Sequence, residues 1–298
     1  MRIFLSGLEG AISQPIIKKY EQTGKRIAFG LMSYYYIQHN SDGYESFKRV
    51  MNVCDYVLID SGAHTFQLKD TGTNYEEYTQ QYANFIRKVD CDKILGYFEM
   101  DVDKEIGYKR VYAMRKQLEK ASPKIIPVWH KGRGIEEFKR MCKETPSEIV
   151  AITGFRNEDI KDNQYGAFVK YAWSQGKKIH CLGMTRTKVL NSVPFDFVDS
   201  SSWLQKGSYG LISHFRKGKM PTTTTKKLYK SGDLHLYNFI EYQKLVKYYN
   251  RKWHKVNHDL YHFKQAVRNF PPTLKLGEIT CKIQKAMKQL RNMQRLAF

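Results

Sequence analysis

Acidic residues follow three short apolar segments of the sequence. Asp60 and Asp199 each close a run of apolar, partly β-branched residues, and a third such run leads into Glu99, Asp101 and Asp103. Carboxylates that lie close together can supply a nucleophile and a general acid and base for one reaction. Any one of them can instead cap the helix that follows its strand. Three groups converging on one end of a sheet favour a catalytic site.

The elements that must position these groups are eight predicted strands. They cover residues 3–6, 27–32, 56–60, 94–100, 124–129, 148–153, 178–182 and 195–199. Helical patterns over 75–89, 106–118, 135–142 and 165–175 separate several of them. Strands that alternate with helices require a parallel sheet, and eight such units in about 220 residues predict a TIM (β/α)8 barrel. An open doubly wound sheet is the alternative, but no Gly-x-Gly-x-x-Gly turn follows the first strand.

The barrel is expected over residues 1–220, with a basic helical extension over 221–298. From residue 222 onwards, sixteen Lys or Arg face four acidic residues, which is +12 of the net charge of +21. Such charge indicates a polyanionic partner, with nucleic acid first and an anionic membrane surface second. Aromatic residues interleaved with the cations also suit nucleic acid. The cations expected at this surface are Arg186, Lys188, Lys226, Lys227, Arg251 and Lys252.

Cysteine and histidine usage indicates a reduced, cytoplasmic protein without a cofactor. Five scattered cysteines do not form a disulfide framework. No apolar run approaches the roughly 18 residues that a membrane span needs. The one candidate zinc set joins three histidines at helical spacing to a distant cysteine, although such histidines also suit packing or phosphate contacts. Its members are His254, His258, His262 and Cys281.

The segment 57–67, VLIDSGAHTFQ, resembles the Asp-Ser-Gly-Gly-Phe-Gln signature of the tRNA-guanine transglycosylases, with Ala63 and a two-residue insertion as departures. Later segments follow the order of that family's motifs over about residues 1–215. These segments are EMD at 99–101, AITG at 151–154, CLGM at 181–184 and FDFVDSSSW at 195–203. The chain lacks the Cys-x-Cys-x-x-Cys zinc motif of the bacterial and archaeal tRNA enzymes. That departure favours the divergent branch, the 7-deazaguanine DNA transglycosylases of bacteria and their phages.

The resemblance implies exchange of guanine in DNA for a 7-deazaguanine such as preQ0. The protein would then be phage-encoded and act in the host cytoplasm. The same chemistry on tRNA is the alternative. A non-catalytic nucleic-acid-binding barrel is another, and a hydrolytic barrel such as a phosphodiesterase is disfavoured because no metal-ligand cluster is visible in the sequence.

The roles of individual residues follow from the resemblance and from the chemistry of base exchange. Asp199 is expected to attack C1′ and Asp60 to act as general acid and then base. Asp101 is expected to read the guanine edge, with Glu99 and Asp103 as competitors for that role. The other expected substrate contacts are Ser61 and Gly62 in a turn, Gly154 and Gly183 beside the base edge, and Met184, Tyr34 or Phe66 against its ring. His130 and Trp129, at the end of the fifth strand, are weaker candidates.

Overall fold

The computed structural model describes residues 1–68, 72, 74–154, 159–224 and 231–268. The main sheet contains nine parallel strand segments. They are β1 Arg2–Ser6, β2 Ile27–Ser33, β3 Cys54–Asp60, β4 Ile94–Phe98, β5 Ile125–Ile126, β6 Val128–Trp129, β7 Ile149–Thr153, β8 Lys178–Leu182 and β9 Phe197–Ser200. All eight predicted strands are present, and every strand end lies within two residues of its predicted position.

Helices connect the strands around the outside of the sheet. They are α1 Gln14–Gln22, α2 Tyr34–His39, α3 Gly43–Val53, α4 Ala63–Leu68, α5 Tyr75–Val89, α6 Asp103–Ile106, α7 Tyr108–Glu119, α8 Ile135–Glu144, α9 Tyr165–Ser174, α10 Thr187–Ser192 and α11 Ser202–Ser208. A 3-10 turn covers Lys131–Arg133. A hairpin of β10 Leu211–Ser213 and β11 Thr222–Thr224 precedes α12, Ser231–Arg268.

The order of the sheet is β5-β4-β3-β2-β1-β9-β8-β7-β6. Its two ends, β5 and β6, are halves of one strand that Pro127 interrupts. Proline has no N–H to donate to a neighbouring strand, but the Pro127 carbonyl still accepts from Ala151 N at 2.9 Å. The sheet therefore closes on itself, and the predicted (β/α)8 barrel is confirmed.

Strand register brings the two predicted catalytic aspartates to the same end of the barrel. Asp60 is the register partner of Ser33, and Asp199 is the partner of Phe4. Side chains alternate between the two faces of a strand, and register partners in neighbouring parallel strands share a face. Phe4 is fully buried and lies against the ring of His180 inside the barrel. Asp60 and Asp199 consequently point into the uppermost layer of the interior, where the strands end.

The first turns of α12 complete the outer ring of helices between α1 and α10. Phe239 packs against Tyr20 of α1 and Trp203 of α11, while Trp253 Nε1 donates to the Leu190 carbonyl of α10 at 2.9 Å. Several rings and aliphatic side chains of this helix are therefore core residues: Phe239, Tyr242, Leu245, Val246 and Tyr249. The boundary expected at residue 220 stays a prediction.

By internal contacts the chain divides into two units, Met1–Asn257 and His258–Phe298. The described part of the second unit is the helical backbone of residues 258–268. Among the described residues, no helix combines the length and the apolar character that crossing a membrane requires.

Candidate active site

Asp199 lies at the end of β9 and accepts three hydrogen bonds. Oδ1 receives the N–H of Gly183 and Nε2 of His180, each at 2.9 Å, and Oδ2 receives the Ser6 hydroxyl at 3.3 Å. Three donors around two oxygens match an ionised carboxylate, which can only accept. Oδ2 carries the longer, single bond and is therefore the oxygen that is freer to react.

His180 holds Asp199 from inside the barrel. Its side chain is fully buried on β8, with its ring against Phe98 at 5.0 Å and Phe4 at 6.4 Å between centroids. Because the carboxylate can only accept, Nε2 carries the proton. The other ring nitrogen, Nδ1, has no hydrogen-bond partner in the described structure. The imidazole thus makes one polar contact, and that contact is to Asp199.

Asp60 lies in surroundings that favour its protonated form. Burial and, to a smaller extent, the negative charges of Asp199 and Asp101 raise the pKa of Asp60 to about 7, although the N–H groups of Gly62 and Ser61 act in the opposite direction. A carboxyl that titrates near neutrality can release and take up a proton during one catalytic cycle. The end of the barrel where the strands terminate, the active-site mouth, therefore holds an ionised aspartate and a carboxyl suited to proton transfer.

Glu9 adds a third carboxyl to this layer. It lies in the loop after β1 and is buried, with Oε1 accepting from Ser33 N at 3.2 Å. Its Oε2 has no hydrogen-bond partner in the described structure. Burial raises the pKa of Glu9 to about 7, and the charge of Asp60 adds to that increase. Glu9 therefore titrates near neutral pH beside Asp60.

On the opposite side of the mouth, Asp101 is paired with His130. Both oxygens of Asp101 lie 2.7 Å from His130 Nε2, and Nδ1 of the same ring lies 3.4 Å from Asp159. Burial lowers the pKa of His130, but the hydrogen bond and charge of Asp101 outweigh burial, so the pKa is raised overall. The imidazole ring lies between two carboxylates and holds Asp101 in a fixed orientation.

Arg133 binds all three carboxylates at the end of the fourth strand. This arginine is 1% exposed and contacts Glu99 at 2.7 Å, Asp101 at 3.4 Å, and Asp103 through a two-pronged contact. Glu99 is fully buried and also accepts from Val128 N at 2.8 Å. Glu99 thus supports the interrupted fifth strand, while Asp101 is the member of the group whose charge acts on Asp60.

No protein-family model matches the sequence, and no curated protein matches it significantly. The fold is similar to that of QR15, an aldolase, at 15% identity over 70% of this chain and 95% of that one, with a TM-score of 0.43. It is also similar to a mutant tryptophan synthase alpha-subunit from Pyrococcus furiosus, at 10% identity over 82% and 96% of the two chains, with a TM-score of 0.45. Neither likeness bears on substrate, so the resemblance to tRNA-guanine transglycosylases stays a prediction.

Several residues that were predicted to contact the substrate have a defined place within the protein itself. The Ser61 hydroxyl donates to the Glu99 carbonyl at 2.8 Å. Gly62 has φ +88, and a Cβ there would lie 2.4 Å from Tyr35 Cβ, so the turn after Asp60 requires glycine. A Cβ on Gly154 would lie 2.7 Å from the Leu182 carbonyl. Gly183, in contrast, is exposed with open space around it, and its N–H holds Asp199.

The candidate stacking residues lie in the core. Met184 is fully buried, and the exposed fractions of Tyr34 and Phe66 are 5% and 4%. Trp129 is also buried and donates its Nε1–H to the Gly134 carbonyl at 2.7 Å. Tyr34 and Phe66 pack against rings of α5, and Trp129 packs against a ring of α8. Contact of these residues with a base stays a prediction.

Four of the six predicted cations lie among the described residues: Arg186, Lys188, Arg251 and Lys252. Arg186 binds the Gly154 carbonyl at 2.8 Å and Asp162 at 3.2 Å, and Lys252 binds Asn191. Lys188 and Arg251 are exposed. Lys226 and Lys227 lie outside the described residues. Rings from the same segment mainly pack against the barrel, as Phe239 and Tyr249 do.

The candidate zinc set cannot be assembled from the described side chains. His254 is exposed on α12. The side chains of His258 and His262, and all of Cys281, lie outside the described part of the structure. Among the described residues, no group of three or more His, Cys, Asp or Glu is placed to hold a metal ion.

Sequence reasoning missed Glu9, His180 and Arg133. His180 had a usable signal, because it is a polar residue in the middle of a predicted strand, on the face that alternation assigns to the interior. Glu9 lies in the loop after the first strand, at the face where barrel enzymes keep catalytic groups. Arg133 gave no signal, since its three carboxylate partners meet it only in the folded chain.

Proposed function

We propose that this protein is a pentosyltransferase that exchanges guanine in DNA for a 7-deazaguanine base of the preQ0 type. The observation that carries the proposal is the difference between two carboxyls at one mouth. Asp199 accepts three hydrogen bonds as a carboxylate, and Asp60 has a pKa of about 7. Base exchange with retained configuration needs one group of each kind. The motif order described above supports the same chemistry.

In the first half of the reaction, Asp199 Oδ2 attacks C1′ from the face opposite the base. The bond between C1′ and N9 of guanine breaks, and its electron pair stays with the base. Asp60 gives its proton to the departing guanine, which leaves as a neutral molecule. The products of this half are an aspartyl–glycosyl ester and an ionised Asp60.

In the second half, the incoming 7-deazaguanine loses its N9 proton to Asp60. Its nitrogen then bonds to C1′, and the ester to Asp199 breaks. Both carboxyls return to their starting states, so the cycle consumes no other reactant. A general acid and base at this position contributes about 10² to 10⁴ in rate.

Asp101 is the residue proposed to read the base. Guanine and 7-deazaguanine present N–H donors on one edge, which a carboxylate can accept. His130 and Arg133 hold Asp101 in place, so its position does not depend on the substrate. Since a stacked base cannot reach the barrel, the target nucleotide must be flipped or single-stranded, at a cost of a few kcal/mol.

The test is transfer of labelled preQ0 into nucleic acid by the full-length protein. Plasmid DNA and tRNA are offered separately, with Asp199→Asn as the inactive control and circular dichroism to establish folding. The proposal expects label in DNA and none with the variant. Label in tRNA alone would move the activity to the tRNA reaction. Label in neither, from folded protein, would reject this exchange.

A further inference from the structure

We propose that the tip of the β10–β11 hairpin, residues 216–219, binds phosphate groups of DNA at the rim of the active-site mouth. The inference rests on the proposed function, which supplies DNA as the partner. Three of the four residues are cations with exposed side chains, Arg216, Lys217 and Lys219. They precede residue 221, where the basic extension was expected to begin.

The tip is a two-residue turn. Arg216 N donates to the Lys219 carbonyl at 3.0 Å, and Lys219 N donates to the Arg216 carbonyl at 2.9 Å. Between them, Lys217 has φ +45 and Gly218 has φ +78. Turns with two positive φ values favour Asn-Gly or Asp-Gly. A lysine is disfavoured at the first of these positions.

Lys217 is the one described non-glycine residue with positive φ. A side chain kept in a costly backbone conformation points to a role for that side chain. Here the side chain is exposed and packs no core, so the feature that Lys217 adds to the turn is its charge. An anion is the ligand that this charge would recognise.

The tip is fixed on the body of the protein. Gly218 lies against the ring of Tyr248, where a Cβ would approach within 2.5 Å, and its carbonyl accepts from the Tyr249 hydroxyl at 2.8 Å. Glu241 receives Phe215 N at 2.7 Å and also binds Lys244. None of the three tip cations forms an ion pair with any residue that the structure describes. They are therefore preorganised and available to an external anion.

The same hydroxyl places the tip beside the mouth. Tyr249 lies 3.4 Å from the carbonyl of Thr187 as well as 2.8 Å from that of Gly218. Thr187 begins α10, four residues after Gly183, whose N–H holds Asp199. Four residues span at most about 14 Å. The exposed Lys188 follows Thr187 and extends the cationic rim. A strand whose sugar reaches Asp199 would pass its neighbouring phosphates along this rim.

The test measures binding of a fluorescein-labelled single-stranded oligodeoxynucleotide by anisotropy at several salt concentrations, without any free base. Arg216→Gln, Lys217→Gln and Lys219→Gln are combined in one variant. The control combines Lys25→Gln, Lys120→Gln and Lys143→Gln, which remove the same charge from exposed positions near the opposite end of the barrel. Each lost phosphate contact lowers the salt slope by about 0.7 for single strands.

The expected result is a slope about 2 smaller for the tip variant, with the control close to wild type. Lys217→Gly should weaken binding while its melting temperature stays equal or rises, because glycine suits the turn. Equal slopes for the two triple variants, or no binding by wild type, would overturn the proposal. A smaller slope for the tip variant, when wild type does not exchange bases, would reject the proposed chemistry alone. Base exchange by wild type, with an unchanged slope for the tip variant, would reject the tip site alone.

Discussion

Nε2 of His180 donates to Oδ1 of Asp199 at 2.9 Å from inside the barrel. The imidazole is enclosed by Phe4 and Phe98 and makes no second hydrogen bond within the described structure. A polar side chain in an apolar interior costs free energy unless it is bonded. The contact with Asp199 offsets that cost and fixes the carboxylate, while Oδ2 keeps the single, longer bond from the Ser6 hydroxyl.

Replacing His180 by Leu should slow formation of the glycosyl–enzyme by roughly 10- to 100-fold, the range known for residues that orient metal ligands through a hydrogen bond. The loss should appear in kcat and leave KM nearly unchanged, because His180 does not reach the substrate. Single-turnover kinetics of guanine release measure it.

His180→Gln is the matched control, since glutamine retains an N–H donor at a similar reach. It should recover much of the rate. If His180→Leu matched wild type in single-turnover rate, Asp199 would not depend on the imidazole.

The rate of the first half-reaction should change with pH near 7, in a pH limb that reports the protonation of Asp60. The carboxyl must be protonated to protonate guanine, and burial has raised its pKa to about 7. Guanine release in a single turnover should therefore decline as pH rises above about 7. Asp60→Asn should lose about 10² to 10⁴ in rate together with this pH limb.

Asp55→Asn provides the control for that variant. Asp55 lies on the same strand at the opposite end of the barrel, where it forms an exposed ion pair with Arg26. It should release guanine at the wild-type rate at every pH. An unchanged pH limb in Asp60→Asn would assign the limb to another group.

Glu9→Gln should stabilise the protein at about pH 8 and have little effect near pH 4. Glu9 titrates near 7 in the folded protein and at 4.5 ordinarily. The folded state therefore holds more protons between these values, so wild-type stability falls as pH rises through that window and then levels off. The gain at high pH should be on the order of 1 to 3 kcal/mol.

Urea denaturation of both proteins at the two pH values measures this difference. Glutamine preserves the shape of the side chain and its bond to Ser33 N. A stability difference that is the same at both pH values would mean that Glu9 does not change its protonation on unfolding.

Arg133→Met should destabilise the fold by about 3 to 5 kcal/mol, because Glu99, Asp101 and Asp103 would lose a shared, buried cation. Arg110→Met is the control. Its pair with Glu76 is on the surface, with Arg110 53% exposed, and it should cost less than about 1 kcal/mol. Chemical denaturation at neutral pH compares the two. Equal losses would contradict a supporting role for Arg133.

The barrel was predictable because its strands are short, apolar and regularly separated. The helix predicted at 75–89 also matches α5, Tyr75–Val89. Strand ends also indicated that Asp60, Asp199 and the group of Glu99, Asp101 and Asp103 lie at one end of the barrel. The helix that completes the outer ring was foreseen as a basic segment with some rings packed against the barrel, but which rings are buried was not foreseen. Its rings meet Tyr20 and Leu190, which are distant in sequence.

The electrostatics of the site could not be predicted from sequence. The pKa of Asp60 depends on burial and on Asp199 and Asp101, which converge only in the closed barrel. Alternation could not separate Asp101 from Glu99 and Asp103. In the structure Glu99 accepts from Val128 N, while the charge of Asp101 acts on Asp60. Lys217 was equally hidden, because a disfavoured φ is visible only in the folded turn.

The most direct test of the account is to look for the covalent bond to Asp199. The protein is mixed with single-stranded DNA without an incoming base, quenched with acid, digested, and analysed by mass spectrometry. The account predicts a glycosyl adduct on the peptide that contains Asp199, with guanine released in equal amount, and no adduct in Asp199→Asn. An adduct that persists in that variant, or exchange activity without any adduct on Asp199, would contradict it.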